Sequence, residues 1–221
     1  QLNSGYAIPV LGLGTWKLGP AEAGAAVTYA LAQAGYRQVD CASIYENQAE
    51  IGAALAKLWG QAVKREQVFI TSKLWNTDHR PERVERACRQ TLADLRLEYL
   101  DLYLMHWGIA FKPGREGITD QVSIRETWVA MEELAQQGLA KSIGVANFTT
   151  MMLVDLLTYA QIKPAVNQIE LHPYNAQAEL VKFCQDEGIA VTAYSPLGSW
   201  RMARKQGPKL FEDPIIKAIA D

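Results

Sequence analysis

Cysteine is scarce in these 221 residues, and Cys41, Cys88 and Cys184 are scattered without a CxxC pair. An odd number at such spacings supports neither a disulfide framework nor a zinc ribbon, and it fits a reducing, cytoplasmic setting. Charge of one sign is lacking too. Twenty-two Lys and Arg face 24 Asp and Glu for a formal net charge of −2, which gives no basic field for nucleic acid and no polybasic anchor for a membrane. Apolar runs such as Leu102 to Met105 stop far short of the roughly 20 residues that a membrane span needs, and the start of the chain has no basic stretch followed by an apolar one. Gly12-Leu13-Gly14 lacks the third glycine of a dinucleotide fingerprint, and no P-loop occurs. Ser195 has no GxSxG elbow, and Cys41, His106 and His172 have no HxxxH or HExxH spacing, so neither a serine hydrolase nor a metal centre is expected.

What remains is a globular composition, 49% hydrophobic and 21% charged, with ample apolar area for a core. Strand signals recur at Val10–Gly14, Gln38–Cys41, Val68–Ser72, Asp101–His106, Lys141–Val145, Ala165–Glu170 and Ala190–Tyr194. Between them, Ala21–Ala34, Gln48–Trp59, Arg80–Leu95, Ile124–Gln137, Thr149–Tyr159 and Ala178–Glu187 repeat apolar residues at three and four, as amphipathic helices do. Thr77-Asp78 ahead of Pro81 and Glu82 predicts a helix start, and Gly35, Gly138 and Gly188 predict stops. Strict alternation demands parallel strands covered on both faces, in an open doubly wound sheet or a (β/α)8 TIM barrel. Seven βα units and no glycine-rich turn favour the barrel, as one domain over residues 1–221. The eighth strand and the C-terminal segment beyond it are absent from these residues, and further chain is expected to close the barrel.

In a parallel barrel, chemistry gathers at the carboxyl ends of the strands. The second strand ends at Asp40, the third runs into Lys73 and the fourth ends at His106, each 33 positions after the last. Singly, each has a plainer explanation: a helix cap, a solvated charge, a satisfied core histidine. At three successive strand ends they make a set, and Tyr45 in the turn after Asp40 can hang over them. A lysine ammonium favours a tyrosine phenolate and lowers its pKa, Asp40 would hold Lys73, and His106 could orient a carbonyl oxygen. The set suits proton delivery to a carbonyl. A carbonyl reduced in this way also needs a hydride, which no side chain provides, so a nicotinamide cofactor is implied.

The segments Gly12-Leu13-Gly14-Thr15-Trp16, Val39-Asp40-Cys41-Ala42, Tyr45-Glu46-Asn47, Ser72-Lys73-Leu74-Trp75, Met105-His106-Trp107, Gly144-Val145-Ala146-Asn147-Phe148, Val166-Asn167-Gln168 and Tyr194-Ser195-Pro196-Leu197-Gly198 together resemble the aldo-keto reductase family. Phe111-Lys112-Pro113-Gly114 resembles the substrate loop of its aldose and aldehyde reductase branch. The resemblance implies a (β/α)8 barrel that reduces small aldehydes and ketones with NADPH and without a metal, as a monomer. Tyr45 becomes the general acid, Lys73 and Asp40 its tuning pair, and His106 the group that orients the carbonyl. Asn147 and Gln168 are implied to bind the carboxamide and Tyr194 to stack on the nicotinamide. Ser195, Leu197 and Ser199 track the pyrophosphate, Thr15 and Trp16 line the mouth on the cofactor side, and Trp16, Trp75 and Trp107 form the substrate pocket.

Two residues depart from the family pattern: Ala146 stands where a serine is usual, and Gln48 where a glutamate is common. Loss of that serine hydroxyl is expected to weaken cofactor binding by about 1 kcal/mol. The Ile-Pro-Lys-Ser-like segment that holds the adenosine 2′-phosphate in the family is not among these residues. A protein ending at residue 221 would therefore not be expected to be a competent reductase. The alternative function is a cofactor-binding regulatory or partner subunit with little or no turnover.

Overall fold

The computed structural model of the chain describes residues 1–198 and 209–220. Among them, strands β1 (Leu13–Gly14), β2 (Gln38–Asp40), β3 (Phe69–Leu74), β4 (Leu100–Met105), β5 (Ala140–Ala146), β6 (Val166–Glu170) and β7 (Ala190–Tyr194) lie parallel, each beside the next in sequence order. Helices α1 (Pro20–Ala32), α2 (Gln48–Leu58), α3 (Pro81–Leu95), α4 (Ile124–Gln136), α5 (Thr150–Leu157) and α6 (Ala178–Asp186) each cross from one strand to the next, and α7 (Pro214–Ala220) comes after β7. The seven strands form a nearly closed (β/α)8 barrel, and the open-sheet alternative falls.

Period-two alternation sorts the strand residues into two cores. Ile70, Leu74, Tyr103, Met105, Ile143 and Val145 point outward and pack against helix residues such as Val27, Ile51, Leu92, Trp128 and Leu153. Phe69, Leu102, Leu104, Ala146 and Val166 fill the interior together with Leu2, which closes the amino-terminal end. Asn3 Nδ2 fastens that plug, donating to the Pro164 and Gly188 carbonyls at 3.0 and 3.2 Å.

The helix ends obey their local chemistry. Ser123 and Glu126 form a capping box at α4, and Gly138 and Gly188 stand just past α4 and α6 in the left-handed region at φ 74° and 68°. Two expectations need correction. Asp78 does not cap α3: Asn76–Asp78 is a 3-10 turn whose Asp78 accepts from Arg83 Nε at 2.9 Å, and Pro81 opens the helix after Arg80. The first strand is shorter than Val10–Gly14, because only Leu13 and Gly14 find partners, Val39 and Asp40, while Val10 stands fully exposed.

Helices α2 and α3 pack backbone to backbone at Gly52, where an added Cβ would collide with the Asp94 carbonyl oxygen and meet the Leu95 carbonyl carbon at 2.7 Å. Backbone cannot step aside as a side chain can. Gly52→Ala is expected to destabilise the fold by about 1–3 kcal/mol, read as a lower urea midpoint at unchanged m-value. An unchanged midpoint would mean that the two helices are not held this close.

Candidate active site

One helical unit between strands, combined with inward alternation, brings the expected residues together. Asp40 ends β2 opposite Thr71, and Lys73 lies two residues further along β3, inside the strand. Its side chain is fully buried. The ammonium donates to Asp40 Oδ2 at 2.7 Å, to the Cys41 carbonyl at 2.9 Å and to Tyr45 Oη at 3.3 Å. Tyr45 comes from the 3-10 turn Ser43–Tyr45, which is ended by Glu46 in the left-handed region. His106 comes directly after β4, its ring edge-on to Trp75 at 5.1 Å and to Tyr45 at 6.0 Å between centroids. Its Nδ1 is buried without a partner among the described residues, so Nε2 is the nitrogen left to face the cavity.

The electrostatics separate the two candidate acids. Burial pushes His106 down to about 3, and Lys73 and His79 add positive charge against its protonation. The imidazole is therefore neutral throughout the physiological range. Tyr45 departs from the expectation of a lowered phenol. Burial outweighs the opposing pull of Lys73 and leaves Tyr45 above its ordinary value, so the proton sits on the phenol at neutral pH. Burial also disfavours the charge on Lys73, but Asp40 and Tyr45 together more than offset it, and the ammonium persists.

On the opposite side of the mouth, Asn147 Nδ2 donates to the His106 carbonyl at 3.0 Å while its Oδ1 accepts from Tyr194 Oη at 2.9 Å. Gln168 Nε2 donates to Asp40 Oδ1 at 2.9 Å. Asn147 and Ser195 hold left-handed backbone, with φ 61° and 50°, just beyond β5 and β7. A cavity of about 450 Å³ is lined by Asp40, Tyr45, His106, Asn147, Gln168, Tyr194 and Ser195 on its polar side, and by Trp16, Trp75 and Trp107 among its apolar walls.

Not every expected residue reaches it. Thr15 is fully buried with its hydroxyl donated to the Asp40 carbonyl at 2.9 Å, so it braces the site from behind instead of lining it. Leu197 is exposed and outside the lining, and Ser199 lies outside the described residues. Conversely, Gly14 and Ile44 line the cavity although the sequence reading assigns them no role there. Ile44 precedes Tyr45 in its turn, and that adjacency is the signal that could have found it. Asn47 is buried and donates to the Thr15 and Leu18 carbonyls at 2.9 and 3.1 Å, and Gln48 accepts from Ser72 at 2.6 Å, tying α2 to the strand that carries Lys73. Among the described residues, no group of three His, Cys, Asp or Glu could hold a metal, and no helix is long and apolar enough to cross a membrane.

Comparison with known proteins gives a consistent result. Residues 10–211 match the model of the Aldo/keto reductase family. The chain is 50% identical to rat (Rattus norvegicus) and 51% identical to chicken (Gallus gallus) aldo-keto reductase family 1 member A1, along all of its own length and 71% of theirs. An aldose reductase from Schistosoma japonicum superposes with a TM-score of 0.91 at 46% identity, over 99% of this chain and 72% of that one. An aldo-keto reductase from Bombyx mori, solved in complex with NADP, gives 0.92 at 39% identity, over 100% of this chain and 74% of that one.

Proposed function

Starting from the fact that the chain belongs to the aldo/keto reductase family, we propose that it reduces aldehydes and ketones to alcohols with NADPH, and that Tyr45 is the general acid. It is an oxidoreductase acting on carbonyl groups. The observation that carries the finer reading is the Tyr45 hydroxyl 3.3 Å from a buried Lys73 ammonium, beside a neutral imidazole in an aromatic cavity.

The residues fit a nicotinamide nucleotide: two carboxamide side chains, Asn147 and Gln168, and the ring of Tyr194 border the same cavity as Tyr45 and His106. NADP bound in the Bombyx mori relative supports this choice. The cofactor supplies the hydride. Asn147 and Gln168 would hold its carboxamide, Tyr194 would lie against its ring, and Ser195, with Leu197 and Ser199, would track the pyrophosphate.

The chain's own groups manage the oxygen. His106 Nε2–H and Tyr45 Oη–H both donate to the carbonyl oxygen, which polarises the bond and fixes the face presented. As charge grows on that oxygen, Tyr45 gives up its proton, and Lys73, anchored by Asp40, stabilises the phenolate left behind. The tryptophan walls lower the polarity around the oxygen, which strengthens these interactions. Mixing the protein with NADPH and a panel of aromatic and short aliphatic aldehydes is expected to consume NADPH absorbance in proportion to the aldehyde. Tight cofactor binding with no turnover across the panel would overturn the reductase and leave the regulatory-subunit alternative.

A further inference from the structure

The loop between β4 and α4 lines the cavity with His106 and Trp107, and further along it one charged side chain holds another wall residue. Glu116 Oε2 accepts a hydrogen bond from Trp75 Nε1 at 3.0 Å. Trp75 is a cavity wall, half-buried, and its ring lies edge-on to His106. Glu116 is itself exposed and outside the lining, so it acts on the cavity only through the indole.

The loop is built to hold this contact. Phe111 bridges Thr119, and Lys112 N–H donates to the Ile118 carbonyl at 2.8 Å, closing a small turn that carries Glu116 at its tip. The base is fixed twice over: Arg80 grips Asp120 with two bonds at 2.6 and 3.2 Å, and Phe111 N–H donates to the Asn76 carbonyl at 2.8 Å, one residue beyond Trp75. Both ends of the Glu116–Trp75 bond are thus tied to the same stretch of backbone, residues 75–80. A tryptophan has two side-chain torsions, and its indole N–H at a half-open mouth would otherwise satisfy itself with water in several orientations. A carboxylate acceptor makes the bond charge-assisted and favours one of them.

We propose that Glu116 is a positioning residue that locks the Trp75 indole as a flat wall for aromatic carbonyl substrates, a reading that rests on the reductase function above. An aromatic aldehyde uses that wall over most of its area, whereas a short aliphatic aldehyde reaches His106 and Tyr45 without leaning on it. The lock therefore governs binding of the substrate body and leaves the proton-transfer geometry alone, which places its effect in KM rather than kcat.

The test uses benzaldehyde and propanal as substrates with NADPH, in the unaltered protein, Glu116→Ala and Glu116→Gln. Glu116→Ala is expected to raise KM for benzaldehyde about tenfold, the equivalent of about 1.4 kcal/mol, with kcat and the propanal KM each changed by less than about twofold. Glu116→Gln keeps an acceptor oxygen and should restore most of the benzaldehyde KM. In parallel, the Trp75 indole N–H, assigned in a ¹⁵N spectrum by its loss in Trp75→Phe, should shift and exchange faster with solvent in Glu116→Ala. Unchanged benzaldehyde KM, a Glu116→Gln as impaired as Glu116→Ala, equal losses for both aldehydes, or an unmoved indole resonance would each overturn the lock in an otherwise active enzyme. An unaltered protein that turns over neither aldehyde would instead overturn the reductase reading, and the lock with it.

Discussion

Replacing Tyr45 with phenylalanine is expected to cut carbonyl reduction by roughly 10²- to 10⁴-fold, the range of a positioned acid, while NADPH affinity changes little. The substitution removes one oxygen from a site whose other members stay in place. Lys73 retains its bonds to Asp40 and the Cys41 carbonyl, so the buried ammonium is not orphaned and the fold should survive. His106 cannot take over. Its protonated form is suppressed down to about 3 by burial and by Lys73, so at neutral pH it can orient an oxygen but has no proton to spare for it. The phenol is the reverse case: burial keeps it protonated at neutral pH, and Lys73 stands 3.3 Å away to stabilise the anion once the proton has gone. His106→Gln should accordingly retain a measurable rate, since an amide can still donate, with its loss concentrated in substrate orientation. Steady-state kinetics of both variants, with cofactor affinity from tryptophan quenching, decide the matter. Near-normal turnover in Tyr45→Phe together with a dead His106→Gln would reverse the two roles.

The proposed catalytic group is legible in the sequence because it depends on two regularities. A repeat of 33 residues is one βα unit, and a side-chain period of two puts the same face inward at each strand end, so Asp40, Lys73 and His106 had to converge once the strands were parallel. The same reasoning does not place Thr15. The strand before it pairs over only two residues, and Thr15, just past its end, turns its hydroxyl to the Asp40 carbonyl behind the cavity. Nor does it find Glu116, 41 positions from Trp75, because the loop that joins them obeys neither helical nor strand periodicity. The direction of the Tyr45 pKa escapes the sequence for a different reason. Sequence shows the neighbouring Lys73, but the depth of burial that outweighs it exists only in three dimensions.

Acidification from pH 7 to pH 5 is expected to cost the fold about 4 kcal/mol through two histidines alone, each contributing about 2 kcal/mol. His79 and His106 are both buried, with one ring nitrogen each lacking a partner among the described residues. Burial lowers His79 to about 4, and burial with Lys73 lowers His106 to about 3, from an ordinary value of 6.5. The sign depends on which state takes the proton first. Below 6.5 the unfolded chain protonates while the folded one does not, so stability is complete at neutral pH. It falls with pH by about 1.36 kcal/mol per unit for each group until the folded values of about 4 and 3 are reached. Carboxylates held low by their partners, Glu85 by Arg89 and Glu126 by Ser123, add their own loss only below the ordinary 4.5, outside this window. Urea unfolding at half-unit steps between pH 5 and 7 measures the slope directly. His79→Gln leaves the proposed catalytic groups intact and removes one titrating site, so it should lower the slope by about one proton while retaining activity at neutral pH. An unaltered slope in His79→Gln would show that the imidazole is hydrated in the native protein and is protonated there as readily as in the unfolded chain.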